Sequence, residues 1–115
     1  MKDELKSSFI KFFDIVMINC HRIACNKGWH DNPVNSGEQI ALMHSELSEA
    51  LEWLRHNNRQ SDHIPEFTGL EEELADVIIR IMDYSEEKQL RLSEAIIAKM
   101  DYNQSREYKH GEKKF

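Results

Sequence analysis

Apolar residues recur at intervals of three and four along most of the chain, a spacing that places them on one side of an α-helix. This pattern predicts four helices, at about residues 3–27, 36–55, 68–85 and 91–108. No run alternates with the period of a β-strand, and breakers are scarce, with Gly at 4 positions and Pro at 2. We therefore expect an all-α fold that forms a single domain over residues 1–115.

Local signals define where the predicted helices begin and end. Gly28 follows the first helix and is expected to adopt the left-handed conformation that commonly ends helices. Ser36 with Gln39, and Thr68 with Glu71, have the spacing of capping boxes, which would satisfy two otherwise unpaired backbone donors in each case. These pairs place the starts of the second and third helices.

Each predicted helix has an apolar side that we expect to face the core. The positions are Leu5, Phe9, Phe12, Val16, Cys20 and Ile23 in the first helix, Ile40, Met43, Leu47, Ala50, Leu51 and Leu54 in the second, Leu70, Leu74, Val77, Ile78, Ile81 and Met82 in the third, and Leu92, Ile96 and Met100 in the fourth. A chain of 115 residues buries about two-thirds of the surface that its unfolded form exposes, which is enough for one core.

Two acidic pairs lie within the second and third predicted helices. Glu46 and Glu49 form the first pair, and Glu73 and Asp76 form the second, with 23 residues between the pairs. Residues three apart lie on the same side of a helix, close enough to share a ligand. If the two helices pack together, four carboxylates would surround one small volume. Four like charges held together repel strongly unless a cation lies among them.

The acids of the second helix do not fall on its solvent-facing side. Glu46 and Glu49 lie in a stripe between the core and solvent sides, and the same stripe contains Leu42 and Trp53. This stripe indicates the wall of a partly buried cleft. Ligands that are all oxygens favour hard cations, so the acids predict a site for Mg²⁺, with Mn²⁺ as a substitute.

A line of hydrogen-bond donors follows the fourth predicted helix. Lys99, Asn103, Arg106 and His110 are spaced so that they share one side if the helix continues, and Lys109 and the tail add positive charge. The net charge of −6 nevertheless argues against binding to nucleic acid polymers or to anionic membranes. Cations opposite a metal site would suit a polyphosphate ligand, because the metal and the basic side chains neutralise different phosphate oxygens.

The cysteines and the N-terminal residues indicate a cytoplasmic protein. Cys20 and Cys25 do not form a C-x-x-C pair and are predicted to be reduced, buried thiols. The N-terminus has mixed charge without a signal-peptide pattern, and no apolar run approaches the length of a membrane span.

The acidic pairs and three longer sequence segments around them resemble those of a known family. The family motif is E-x-x-E, a spacer and E-x-x-D, and the surrounding words here are Glu-Leu-Ser-Glu-Ala, Glu-Leu-Ala-Asp-Val-Ile-Ile-Arg, and Lys-Met-Asp-Tyr-Asn-Gln-Ser-Arg followed by His-Gly. Over roughly residues 36–113, the chain resembles the all-α nucleoside triphosphate pyrophosphohydrolases of the MazG type, which are related to the dimeric dUTPases and the dCTP pyrophosphatases. Residues 1–35 carry little of this resemblance.

The resemblance implies a four-helix MazG-like bundle that is completed as a homodimer or a dimer of dimers. It implies Mg²⁺-dependent hydrolysis of a nucleoside triphosphate, a dNTP or a modified dNTP, to the monophosphate and pyrophosphate. The metal-binding and catalytic residues it implies are Glu46, Glu49, Glu73 and Asp76. The substrate-binding residues it implies are Lys99, Asn103, Arg106, Lys109 and His110 at the phosphates, with Trp53, Trp29 and His30 as candidates beside the base.

Other interpretations of the residues remain. A di-iron carboxylate protein needs Glu-x-x-His on two helices, and neither acidic pair is followed by histidine at that spacing. A non-catalytic helical module that senses nucleotides or binds proteins remains the alternative. No Ser-His-Asp or Cys-His arrangement is evident, and His21, His56 and His63 show no partner pattern. The base and sugar preferences and the identity of the general base stay open.

Overall fold

The computed structural model describes residues 1–115 and is all-α, as predicted. Its five helices are α1 (Asp3–Asn26), α2 (Ser36–Arg55), α3 (Gly69–Glu87), α4 (Leu92–Ser105) and α5 (Lys109–Glu112). The only β contact is an isolated antiparallel bridge between Gln60 and Thr68. No helix combines the length and the apolar character needed to cross a membrane.

The helix boundaries marked by local sequence signals follow the predictions with one correction. Gly28 has φ +86°, so it adopts the predicted left-handed conformation after α1. The capping box of α3 is present, since Thr68 and Glu71 each accept the backbone N–H of the other. For α2 the predicted Ser36–Gln39 box is wrong. The capping residue is Asn35, whose Oδ1 accepts the Glu38 N–H at 2.8 Å, while the Ser36 hydroxyl accepts the Tyr84 O–H at 2.9 Å.

Two C-terminal boundaries differ from the sequence prediction. α3 continues to Glu87 instead of ending at about residue 85, whereas α4 ends at Ser105 instead of residue 108. The short α5 is not a continuation of α4, since Lys109 and His110 both have φ +52°. The predicted line of donors on one helix is therefore interrupted: Lys99 and Asn103 lie on α4, and the later members lie beyond its end.

The helices pack as an open row. α3 packs against both α1 and α2, and α4 packs against α1. Only four apolar side chains are fully buried, namely Met17, Ala50, Met82 and Ile97, one from each of the first four helices. The core is thus small and lies along the lines where α3 meets its neighbours and α1 meets α4.

Most of the predicted core-facing positions are exposed in the single chain, which corrects that expectation. Leu5, Phe12, Val16, Ile23, Ile40, Leu47, Leu51, Leu54, Leu74, Ile78 and Met100 are all exposed. Of the predicted set, only Ala50 and Met82 are fully buried. Helical periodicity identifies an apolar side, but it does not say whether that side is covered by the same chain.

The dimensions of the chain agree with this open packing. The chain exposes 8952 Å², whereas a compact monomer of 13.6 kDa exposes about 6,600 Å². Its radius of gyration is 16.7 Å, against about 13 Å for a compact domain of this length. One chain therefore leaves large apolar areas uncovered.

The loop between α2 and α3 is held by specific hydrogen bonds. Ser61 is buried. Its hydroxyl donates to Glu72 Oε2 at 2.7 Å and accepts the backbone N–H groups of His63 and Ile64. Asn58 Oδ1 accepts the N–H of Leu70 at 3.0 Å. The contacts of Asn58 and Ser61 attach the first half of the loop to the N-terminal end of α3, and so fix that end relative to the C-terminal end of α2.

Candidate functional site

The contact between α2 and α3 brings three of the four predicted acids together. Glu46, Glu49 and Glu73 each offer a carboxylate oxygen within 4.8 Å of the other two. Asp76 is not a member of this cluster, although it lines the same cavity as Glu46. We call Glu46, Glu49 and Glu73 the acid cluster. The helical spacing that predicted the pairs explains why Glu46 and Glu49 share one side of α2.

The two buried acids each have one paired and one unpaired oxygen. Arg80 Nε donates to Glu46 Oε1 at 2.9 Å, and Trp53 Nε1 donates to Glu73 Oε1 at 3.3 Å. Glu46 Oε2 and Glu73 Oε2 are buried without a hydrogen-bond partner. Buried oxygens without partners cost free energy. A cation bound between these atoms would offset that cost, so the donor set fits a metal ion.

The pKa values of the two buried acids in the cluster, Glu73 and Glu46, shift in opposite directions. Burial raises the pKa of Glu73 to about 7, and the adjacent carboxylates of Glu46 and Glu49 add to the effect. Burial also acts to raise the pKa of Glu46, but the hydrogen bond from Arg80, together with the closeness of the neighbouring acids, outweighs it, so the pKa is lowered. Without a cation, the cluster therefore retains a proton on Glu73 and an ionised Glu46.

Asp76 has a related electrostatic environment. Burial raises its pKa, and the negative charges of Glu46 and Glu72 act in the same direction. Arg80 partly opposes this effect. Asp76 is thus a half-buried acid beside the cluster, and the negative charge of Glu46 affects its pKa.

The Trp53 ring is fixed by close packing against the first residue of α3. A Cβ atom at Gly69 would lie 1.8 Å from Trp53 Cδ2, so only glycine leaves room for the indole. The Arg59 guanidinium carbon lies 6.0 Å from the centroid of the ring. Trp53 is therefore held in a position from which it donates to Glu73. Its predicted role in stacking on a base stays a prediction.

Two concave surfaces adjoin the acid cluster. The more enclosed is a cavity of about 310 Å³, a size at the lower end of small-molecule sites. Its lining includes Trp29, Val34, Leu42, Met43, Glu46, Asp76, Ile79 and Arg80. Trp29, with 68% of its surface exposed, stands at this cavity. Glu49, Trp53, Arg59 and Glu73 line the other, shallower surface, so the acids connect the two.

The predicted phosphate-binding residues lie elsewhere in the single chain. Lys99 and Asn103 are on α4, which packs against α1, and neither lines a surface beside the acids. The cationic groups of Lys99 and Arg106 lie 4.6 Å and 5.4 Å from the ring centroid of Tyr102. Lys109 and His110 are exposed in α5, also apart from both concave surfaces.

Sequence reasoning named His30 as a candidate beside the base, and His30 does line the cavity with Trp29, but the polar group to which it belongs was missed. His21, Cys25 and His30 have donor atoms within 4.8 Å of one another, and Asp83 contacts both histidines. Cys25 is exposed, and Cys20 is only partly buried, which corrects the expectation that both thiols are buried. The four-residue spacing of His21 and Cys25 was the available signal, but Asp83 lies 62 residues from His21 and carried none.

Comparisons with known proteins add no relative. No protein-family model, curated protein or solved structure matches this chain. The evidence for function therefore comes from the geometry of the acid cluster and from the acidic motifs with their surrounding sequence segments.

Proposed function

We propose that this chain is a MazG-type pyrophosphohydrolase that converts a nucleoside triphosphate, a dNTP or a modified dNTP, to the monophosphate and pyrophosphate with Mg²⁺. The observation that supports it most is the pair of buried, unpaired oxygens, Glu46 Oε2 and Glu73 Oε2, within a cluster of three carboxylates. A purely structural ion network would pair those oxygens with donors. A solvated acidic surface would not bury them.

Glu46, Glu49 and Glu73 are the residues that hold the cation in this proposal, and Asp76 joins them from the adjacent turn of α3. Oxygen ligands suit Mg²⁺ or Mn²⁺, and the residues present fit that preference. When bound, such an ion neutralises phosphate oxygens and lowers the pKa of a coordinated water.

Neighbouring side chains have positioning roles. Arg80 keeps Glu46 ionised and fixes one of its oxygens, leaving the other available. Trp53 fixes one oxygen of Glu73 through its indole N–H and leaves the other oxygen available. Trp29 stands at the cavity next to Glu46 and Asp76, where an exposed aromatic ring would stack on a nucleobase. One of the carboxylates accepts the proton of the attacking water.

The proposed active form is a homodimer or a dimer of dimers. The chain exposes about 2,400 Å² more than a compact monomer of its mass, and obligate interfaces bury areas of this order. The uncovered apolar sides of α2 and α3, among them Leu51 and Ile78, are the surfaces for a second copy. A second copy also offers a route by which Lys99, Asn103 and Arg106 reach the phosphates, since they lie away from the acids of their own chain.

The decisive experiment is a pyrophosphate-release assay with Mg²⁺ and each canonical and modified dNTP. We expect monophosphate and pyrophosphate from at least one nucleotide, and none with a chelator. Glu49→Gln should reduce turnover by at least about 100-fold, because it removes a metal ligand. Helicity should not change, since Glu49 is exposed.

Glu38→Gln is the matched control, because Glu38 lies on the same helix, is exposed and is outside the acid cluster. It should retain the wild-type rate. Normal turnover by Glu49→Gln would contradict the metal-ligand assignment. Nucleotide binding without pyrophosphate release from any nucleotide would favour the non-catalytic alternative.

A further inference from the structure

The second polar group lies where the end of α1 and the loop after it meet α3. His21 and Cys25 are one helical turn apart on α1, His30 lies in the loop, and Asp83 lies on α3. Asp83 follows Asp76 by seven residues, so the group is displaced by about 10 Å along α3 from the acids described above. We call His21, Cys25, His30 and Asp83 the histidine–cysteine cluster.

Donor atoms of four different side chains converge in this cluster. Asp83 Oδ1 lies 2.8 Å from His21 Nδ1 and 2.8 Å from His30 Nε2. Cys25 Sγ lies 4.0 Å from His21 Nδ1, the nitrogen that faces Asp83, and 3.5 Å from His21 Nε2. The two imidazole centroids are 4.8 Å apart in an edge-to-face arrangement. His21, His30 and Asp83 are mostly buried side chains, with 27%, 18% and 20% of their surface exposed, so water does not fully solvate the group.

We propose that the histidine–cysteine cluster binds a divalent transition metal of the zinc type. A thiolate, two imidazoles and a carboxylate form a donor set that selects such ions over Mg²⁺. The ligand spacing, His-x₃-Cys-x₄-His, is within the range that zinc sites use along a chain. Four-coordinate zinc places its nitrogen and oxygen ligands about 3.4 Å apart, given bonds of about 2.1 Å. The present donor separations bracket that value, so small side-chain movements suffice.

The surroundings of His30 support the proposal independently. Its Nδ1 lies 2.9 Å from Glu87 Oε2, while Nε2 faces Asp83. Gln39 Nε2 donates to the same Glu87 oxygen at 3.3 Å. A carboxylate on the far nitrogen is the usual outer partner of a metal-binding histidine, since it fixes both the tautomer and the ring orientation. Metal binding would displace the protons that now join Asp83 to the imidazoles.

A metal at this position would attach the end of α1 and the loop containing Trp29 to α3. Because ions that bind only the folded chain stabilise it, zinc should raise the melting temperature. The role is structural, although His30 and Asp83 also line the cavity that contains Glu46 and Asp76.

Cobalt and zinc titration of the metal-free full chain tests the proposal. Co²⁺ should bind one equivalent per chain with a thiolate-to-metal charge-transfer band, and Zn²⁺ should displace it. Cys25→Ser should abolish the band and weaken zinc binding by at least about 100-fold, the upper range for losing even an outer partner. His21→Gln should weaken zinc binding similarly, with helicity checked by circular dichroism.

Cys20→Ser is the matched control in the same helix. Its thiol faces Met82 Sδ at 3.8 Å, outside the cluster, and burial with the charge of Asp83 raises its pKa, which disfavours metal-binding thiolate. It should keep the band, as should Glu49→Gln. The proposal is overturned if the wild type gives no thiolate band, if the band survives Cys25→Ser, or if Glu49→Gln removes it.

Discussion

At the scale of single residues, the two buried glutamates of the acid cluster differ in how readily they ionise. Glu46 is stabilised as an anion by Arg80, whereas Glu73 is buried beside other acids and receives only an indole N–H. The result is a pKa of about 7 for Glu73. Its proton occupies the cluster in place of a cation, so the stability of the metal-free protein should depend on pH through this group.

We expect the wild-type free energy of unfolding to fall through Glu73 by up to about 3 kcal/mol as the pH rises from its ordinary pKa of 4.5 to about 7. In this range the unfolded chain has released the proton that the folded chain retains, so raising the pH favours unfolding. Glu73→Gln stays uncharged and should lack this component. Urea unfolding with a chelator, at several pH values, measures the difference.

Glu38→Gln serves as the control for that experiment and should keep the wild-type slope. Other acids also titrate, so the comparison is between variants and not with a flat line. Equal slopes for wild type and Glu73→Gln would contradict the raised pKa.

The residues of the site were only partly predictable. Spacing of three within a helix was sufficient to group Glu46 with Glu49, and the second motif identified Glu73. The same rule included Asp76, which the structure leaves beside the cluster. The outcome depends on how the helices are rotated against each other, and sequence spacing does not contain that information. The contacts of Asp83 with both histidines depend on it in the same way.

At the scale of the elements, the start of α3 sets the position of the site. Its capping box fixes where the helix begins, and Gly69 at its first turn admits the Trp53 ring of α2. The ring then donates to Glu73, one turn further along α3. The helix start, the ring packing and the proposed metal ligand Glu73 are thus connected within a few residues.

Gly69→Ala should destabilise the protein by about 3 kcal/mol, the upper range for overpacking, because its Cβ would lie 1.8 Å from Trp53 Cδ2. The displaced ring should also alter tryptophan fluorescence. Chemical denaturation and emission spectra measure both effects.

Gly37→Ala in the first turn of α2 is the control. Its Cβ would meet only Asn35 Oδ1, at 3.3 Å, so the stability change should stay within about 1 kcal/mol. If the two alanine variants were equally stable, the close packing of Trp53 on Gly69 would not matter to the fold.

At the scale of the whole molecule, the sequence predicted the helices better than their burial. Helix type and the ends marked by Gly28 and Thr68 follow from local interactions, so they were readable from the chain. The covering of Leu51 or Ile78 depends on other helices, and in one chain about half of each remains exposed. Helical periodicity therefore identified surfaces for packing without saying what packs on them.

Under the proposed assembly, Leu51→Glu should shift the protein toward monomers and lower its melting temperature, since a charge would enter an apolar contact. Wild-type melting should rise with protein concentration. Analytical ultracentrifugation and thermal scans provide the measurements.

Leu90→Glu is the control for the assembly, because Leu90 has a similar exposed fraction, 49% against 47%, but lies in the turn between α3 and α4. It should leave the assembly intact. A wild type that sediments as a monomer at all concentrations would exclude the proposed dimer.

The anchored loop between α2 and α3 has a consequence for how such chains can vary. Because Asn58 and Ser61, both in the first half of the loop, bond to Leu70 and Glu72 at the start of α3, the loop is attached to α3 before its tip at residues 62–67. Insertions or deletions in that exposed tip should be tolerated, whereas a change of length before Ser61 would rotate one half of the site away from the other. The number of residues between the two acidic motifs can therefore change, provided that Asn58 and Ser61 keep their contacts with α3.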